Sequence, residues 1–212
     1  MTHSVGRIIR SEDCLLEGAQ WLSQKEPRFA EALRIAGPLP LRLRDGGFAA
    51  LFDAIVSQQV SVASANAIWR RLEAAGLTDQ NRVAGAGEDE LRACGLSRQK
   101  IRYAQALATA GIDFEGLPGL PDAEVMARLV QVPGIGHWTA EIYAMFSLGR
   151  ADVFAPGDLA LQEAARLVFD LPHRPTERAF RVMAEAWSPW RAVAARLLWA
   201  YYRKTKEREG LR

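Results

Sequence analysis

Cysteine is scarce: Cys14 and Cys94 are the only two in 212 residues. Two thiols far apart in the chain cannot build a four-thiolate metal centre or hold an iron–sulfur cluster, and they define no disulfide framework. Reduced, structural cysteines are expected. Histidine is nearly as rare, with three residues, so His137 reads as an exposed or phosphate-contacting side chain rather than a metal ligand. No apolar run reaches membrane-spanning length, and Arg7, Arg10, Glu12 and Asp13 stand where a secretory peptide needs an unbroken apolar stretch. The expectation is a cytoplasmic chain with no membrane partner. Excess charge is missing too. The formal net charge of +2 permits a nucleic-acid partner without arguing for one, so any such contact has to come from a local patch.

What is present is apolar material in helical register. With 49% hydrophobic and 25% charged residues, the chain can bury one substantial core or two small ones. Phe48, Leu51, Phe52, Ile55 and Val56 form one stripe at helical spacing, and Ala65, Ile68, Trp69 and Leu72 resume it after a polar interruption. Ser97 can cap a helix carrying Ile101, Ala104, Leu107 and Ala108, which Gly111 would end by adopting positive φ. Asp122 can open the next, with Val125, Met126, Leu129 and Val130; Trp138 to Leu148 form another, ended by Gly149. Further helices are predicted over 159–169, over 176–187, and from Ser188-Pro189 onward, where Ser suits a cap and Pro a first turn. Leu39 to Leu43 alone alternates like a strand. The fold class predicted is all-α, with about eight to ten helices by ordinary helix lengths.

Two of these helices flank Val132-Pro133-Gly134-Ile135-Gly136-His137. A Pro-Gly-x-Gly turn between apolar-periodic arms is a helix-hairpin-helix signature, in which glycine brings successive backbone N–H groups within reach of one phosphate oxygen. Such a contact tethers a strand without reading its sequence. A short loop later comes Asp158, preceded by Val153-Phe154-Ala155-Pro156-Gly157 and followed by the apolar-periodic Leu159-Ala160-Leu161. Asp158 therefore falls at a helix N-terminus, where the dipole and orphan N–H groups favour an ionised carboxylate. Capping by itself accounts for such a residue; its spacing from the hairpin is what raises a catalytic reading.

Together, the hairpin, Trp138-Thr139-Ala140 and the Gly/Pro loop ending in Asp158 resemble a superfamily of helix-hairpin-helix DNA glycosylases, and within it the 3-methyladenine DNA glycosylase II type. The likeness covers roughly residues 45 to 205, including Gly95-Leu96-Ser97-Arg98-Gln99-Lys100 and Trp187-Ser188-Pro189-Trp190-Arg191 through Trp199. With few residues before Phe48, the chain resembles the short members without an N-terminal β domain. The resemblance implies two helical subdomains with a DNA-binding cleft between them: 47–150, with the hairpin at about 123–148, and 1–46 plus 151–212. It also implies base excision, in which a damaged nucleotide is flipped from the duplex and its N-glycosidic bond hydrolysed. Asp158 would stabilise positive charge developing on the sugar, or orient or deprotonate the attacking water.

At Trp138 the superfamily's bifunctional members place a lysine that forms a Schiff base and supports strand cleavage. Tryptophan has no amine, so a monofunctional enzyme is expected. By the same resemblance Trp138 and Trp199 are pocket aromatics suited to a cationic base, with core packing as the alternative for each. Trp187 and Trp190 read as core. DNA contacts are implied at Gln58, Gln59, Lys100, Gly134, Gly136, His137 and Thr139. Gln59 falls at the intercalating position, where glutamine can hydrogen-bond the orphaned base; a solvated turn competes with that reading. Backbone carbonyls of Val130, Val132 and Ile135 are implied as ligands of a monovalent cation, with no other cofactor required. The expected partner is double-stranded DNA containing alkylated bases, engaged by a monomer. Two alternatives stay open: a non-catalytic DNA-binding module with Asp158 as a cap, and a monofunctional glycosylase for another damaged base.

Overall fold

The computed structural model describes residues 5–210, with side chains placed through residue 207. Among them the chain is helical almost throughout: α1 (Glu12–Lys25), α2 (Pro27–Ala36), α3 (Gly47–Ser57), α4 (Val62–Ala74), α5 (Gln80–Gly85), α6 (Glu88–Ala93), α7 (Arg98–Thr109), α8 (Asp122–Leu129), α9 (His137–Phe146), α10 (Leu159–Val168), α11 (Glu177–Glu185) and α12 (Arg191–Gly210), with a 3-10 turn at Leu117–Gly119. The total exceeds the eight to ten predicted because α5 and α6 have six residues each, too short for an apolar period to register. Several helix starts follow local chemistry. Asp79 accepts from the N–H groups of Asn81 and Arg82 at 2.9 and 3.1 Å, while Ser61, Ser97 and Thr176 cap α4, α7 and α11 in the same way.

Two compact units divide the chain. Val5 and Arg44–Tyr143 make up the first; Gly6–Leu43 and the chain from Ala144 onward make up the second. In the first, α7 packs on α3 and α5, and α3 packs on α4. The predicted stripes of α3 and α7 are its core, since Phe48, Leu51, Phe52, Ile55, Val56, Ile101, Ala104, Leu107 and Ala108 are all buried. Trp69 departs from its stripe. It is half-buried, donates its indole N–H to Glu73 Oε1 at 3.0 Å and sets its ring edge-on to Phe52.

In the second unit, α12 packs against α1, α2 and α10. A cluster of rings fills it: Trp187 stacks on Phe169 with centroids 5.7 Å apart and meets Phe29, Phe154 and Phe180 edge-on. Burying several aromatics together stabilises through area and through favourable edge-to-face geometry. The segment before α1 runs antiparallel to residues 149–151, with Ile9 N–H donating to Gly149 O at 2.7 Å and Ala151 N–H to Arg7 O at 3.0 Å. Gly149 has φ +66, and a Cβ there would lie 2.7 Å from Ile9 O, so only glycine fits.

Two sequence expectations are corrected. Leu39–Leu43 forms no strand; a strand needs a partner for its backbone groups, whereas here Leu41 O accepts from the Arg196 side chain at 3.4 Å. Nor does Ser188-Pro189 open the last helix, which starts at Arg191. The Ser188 hydroxyl donates to Asp152 Oδ2 at 2.7 Å, a tertiary bond that takes it away from capping.

Candidate active site

In the first unit, α8 and the part of α9 up to Tyr143 are the arms of the hairpin. Val130 N–H closes on Met126 O, Val132 N–H on Leu129 O and Ile135 N–H on Val132 O, at 3.1, 3.1 and 3.0 Å. Val132 and Ile135 are buried and anchor the turn from beneath. Gly134 has φ +94, and a Cβ built on it would lie 2.5 Å from the ring of Tyr103. Gly134 O accepts from Gln58 Nε2 at 2.9 Å. The turn is thus clamped by an aromatic ring from α7 and by the amide that follows α3, neither of which is near it in sequence.

Gly136 differs from Gly134. Nothing lies within 4 Å of a Cβ added there, and its carbonyl accepts from Ala140 N–H at 3.0 Å as α9 begins. The N-terminus of α9 has the dipole direction and backbone geometry that can receive an anion. His137 is exposed and Trp138 is 48% exposed, whereas Thr139 is turned inward with 7% exposure.

Gln59 sits between α3 and α4 with φ +55, a left-handed conformation uncommon for a residue with a side chain. It is exposed, and it is flanked by Val60 and by Val62, which is 78% exposed. Val62 lies beyond the turn segment that the sequence singles out; an apolar residue next to polar Ser61, outside the buried stripe of α3, is its available signal. Lys100 Nζ donates to Val56 O at 2.6 Å, at the end of α3, and burial holds its pKa below the usual lysine range.

In the second unit, Asp158 is the N-cap of α10. Its Oδ1 accepts from Leu161 N–H at 2.9 Å and from Trp199 Nε1 at 3.2 Å. One carboxylate oxygen therefore meets a backbone amide of the helix it caps and an indole from α12. The loop before it is fixed at both ends. Asp152 pairs with Arg191 through bonds of 2.7 and 2.9 Å, and Phe154 is buried in the ring cluster, 4.9 Å from Phe180. Asp158 N–H closes on Ala155 O at 3.1 Å, and buried Gln162 donates to Pro156 O at 2.8 Å. A preorganised carboxylate of this kind can stabilise a developing cation or hold a water without reorganising during reaction.

Trp199 rests against Phe146, with ring centroids 5.8 Å apart and tilted by 34°. Trp187 and Trp190 are buried, as core residues should be. Gln162 and Phe146 escaped sequence reasoning. A glutamine in a helical stripe and a phenylalanine at a helix end look like ordinary packing until the fold sets them beside Pro156 and Trp199.

Among the described residues, no three His, Cys, Asp or Glu side chains cluster as a metal site, and no helix is long and apolar enough to cross a membrane. Comparison with known proteins agrees with this geometry. Residues 52–192 match the family model described as HhH-GPD superfamily base excision DNA repair protein. DNA-3-methyladenine glycosylase 1 of Schizosaccharomyces pombe is 34% identical over 158 residues, 70% of this chain and 69% of that protein. The solved structure of a DNA-3-methyladenine glycosidase from Bacillus halodurans superposes with a TM-score of 0.79 at 31% identity, over 87% of this chain and 88% of the other. A Schizosaccharomyces pombe 3-methyladenine DNA glycosylase in complex with abasic DNA gives 0.73 at 30% identity, over 86% and 95% of the two chains. A clamped hairpin, a capping aspartate after a Gly/Pro loop and these matches lead to one assignment: the chain belongs to the HhH-GPD superfamily of base excision DNA repair proteins.

Proposed function

We propose that this protein is a monofunctional DNA glycosylase that hydrolyses the N-glycosidic bond of alkylated purines in duplex DNA, a 3-methyladenine type of activity. The observation that carries the reading is Asp158 Oδ1, held by Leu161 N–H and Trp199 Nε1 in a family of base excision proteins. An alkylated, cationic purine leaves as a neutral base when the C1′–N bond breaks, taking the bonding electrons with it, so no general acid is needed. Positive charge then develops on the sugar, where a fixed carboxylate is most effective. Water adds to C1′ and its proton passes to Asp158 or to solvent, leaving an abasic site. Trp138 offers no amine for a Schiff base, and the backbone is left uncut. The names of the relatives, 3-methyladenine glycosylases, support the substrate class.

DNA is held, on this reading, by the first turn of α9 at Gly136 and His137 and by the exposed turn at Gln59, whose valine neighbours add an apolar edge suited to a gap in the base stack. Trp138, half exposed in the first unit, and Trp199, in the second, each carry a ring of the kind that stacks on a cationic base. Gln58 and Lys100 support the backbone that does the binding, since both donate to carbonyls. A monovalent cation on the carbonyls of Val130, Val132 and Ile135 belongs to the same proposal: Val132 O accepts one N–H, and a carbonyl oxygen has a second lone pair for an ion. Bound there, it would add positive charge for the phosphate. The protein is further proposed to act in the cytoplasm as a monomer; a dimer mass in light scattering would overturn the latter.

Release of free bases from methylated duplex DNA tests the central reading, with Asp158→Asn alongside and strand nicks scored before and after alkali. The expected result is release of methylpurines by the wild type only, with nicks appearing only after alkali. Equal release by Asp158→Asn would overturn the mechanism, and binding without release by the wild type would reduce the protein to a DNA-binding module.

A further inference from the structure

The second unit buries a cation that the chemistry above does not use. Arg196, on α12, is 2% exposed, and its hydrogen bonds go to carbonyls: Nη1 to Ala192 O at 3.0 Å, Nη2 to Met145 O at 3.1 Å and Nε to Leu41 O at 3.4 Å. No carboxylate pairs with it among the described residues. Burial, with a smaller contribution from the neighbouring cation Arg42, pulls its pKa down to about 10, which still leaves it charged at neutral pH. Burying a charge without a counter-ion is costly, and an aliphatic side chain of similar volume would avoid that cost. The arginine therefore calls for a use.

Its surroundings supply one. The guanidinium carbon lies 4.5 Å from the centroid of the Phe146 ring, the Phe146 ring lies against Trp199, and Trp199 Nε1 donates to Asp158 Oδ1. Arg196 and Trp199 are three residues apart on α12, so they share a face of that helix. A half-buried indole can hold a hydrogen bond to a carboxylate only while its ring plane is fixed, and here the ring it rests on is Phe146. Phe146 in turn lies beneath a cation pinned by three carbonyls. We propose that Arg196 is a positioning residue for the glycosylase reaction: through Phe146 and Trp199 it sets the place of the Asp158 carboxylate. The inference rests on the reading of Asp158 as the residue that assists hydrolysis.

The test is single-turnover release of methylpurine from methylated duplex DNA by the full chain, with DNA affinity measured separately. The variants are Arg196→Met, Trp199→Phe, the two combined, and Asp158→Asn. Arg196→Met keeps an unbranched apolar stem and removes the charged fork; Trp199→Phe keeps a ring and removes the N–H. Misplacement of a reacting group by about 1 Å can cost on the order of 100-fold, so Arg196→Met and Trp199→Phe are each expected to slow release by roughly 10-fold to 100-fold while DNA affinity stays within about twofold. The combined variant should be no slower than Trp199→Phe, because Arg196 acts only through the indole. A wild-type rate in Arg196→Met, multiplied losses in the combined variant, or a loss of affinity as large as the loss of rate would each overturn the inference. Should Arg196→Met fail to fold, Phe146→Leu interrupts the same stack and carries the same expectation. Asp158→Asn separates the two levels. If it releases base at the wild-type rate, the reading of Asp158 has failed; if it is inactive while Arg196→Met is unimpaired, only the role of Arg196 has failed.

Discussion

The hairpin and the Asp158 loop place their chemistry on different parts of the residue. At the hairpin the groups proposed to meet DNA are backbone amides at the start of α9, and side chains work from behind: Tyr103 against Gly134, Gln58 on its carbonyl, Val132 and Ile135 beneath. At Asp158 the backbone is the support and a side-chain oxygen is the atom proposed to act, held by Leu161 N–H and Trp199 Nε1. The difference suits the two proposed tasks. Holding a phosphate regardless of base requires amides that every sequence provides, whereas stabilising charge at one sugar atom requires a carboxylate in one place.

The largest expected effect separates the two regions outright. Asp158→Asn should lower base release on the order of 100-fold to 10,000-fold, the range for a lost acid–base or electrostatic group. Because asparagine caps helices as well as aspartate does, the melting temperature and DNA affinity should barely move. A large drop in either would show that the cap, not the chemistry, had been removed.

Within the hairpin, the two glycines should break differently. Gly134→Ala combines a left-handed backbone with a clash against Tyr103, and should cost about 2–4 kcal/mol in chemical denaturation. Gly136→Ala should change stability by less than about 0.5 kcal/mol while weakening DNA binding, since its methyl group would stand at the open edge of the turn. Similar stability losses for both would mean that Gly136 is structural after all.

Smaller changes should follow at the supports. Gln162→Leu leaves Pro156 O without its buried donor and should cost about 1–3 kcal/mol, lowering base release more than DNA affinity. Lys100→Met should cost about 1 kcal/mol through Val56 O, with the salt dependence of DNA binding unchanged. A fall of about one in the slope of log affinity against log salt would instead make Lys100 a phosphate contact.

Local pattern explains what could be read in advance. The stripes of α3 and α7, the Ser97 cap, the positive φ of Gly111 and the capping position of Asp158 depend on residues a few places apart, and the fold preserves them. Trp199 could be nominated as an aromatic near the site, but its bond to Asp158 spans 41 positions and has no local trace. Lys100 likewise has a partner with no local trace, since the approach of α3 to α7 sets Val56 O against its ammonium group across 44 positions. Ser188 misled for the same reason, because Asp152, which accepts its hydroxyl, is 36 positions away.

By itself, then, the amino-acid sequence determined the helical class, the turn that must bend at Pro133-Gly134, and the aspartate at a helix start, since each follows from backbone preference and short-range hydrogen bonding. Tertiary structure alone decided that Tyr103 leaves Gly134 no room for a side chain, that Gln162 ties down Pro156 and that Arg196 lies over Phe146. Those contacts join residues far apart in the chain, where packing, with no local rule to anticipate it, selects the partner.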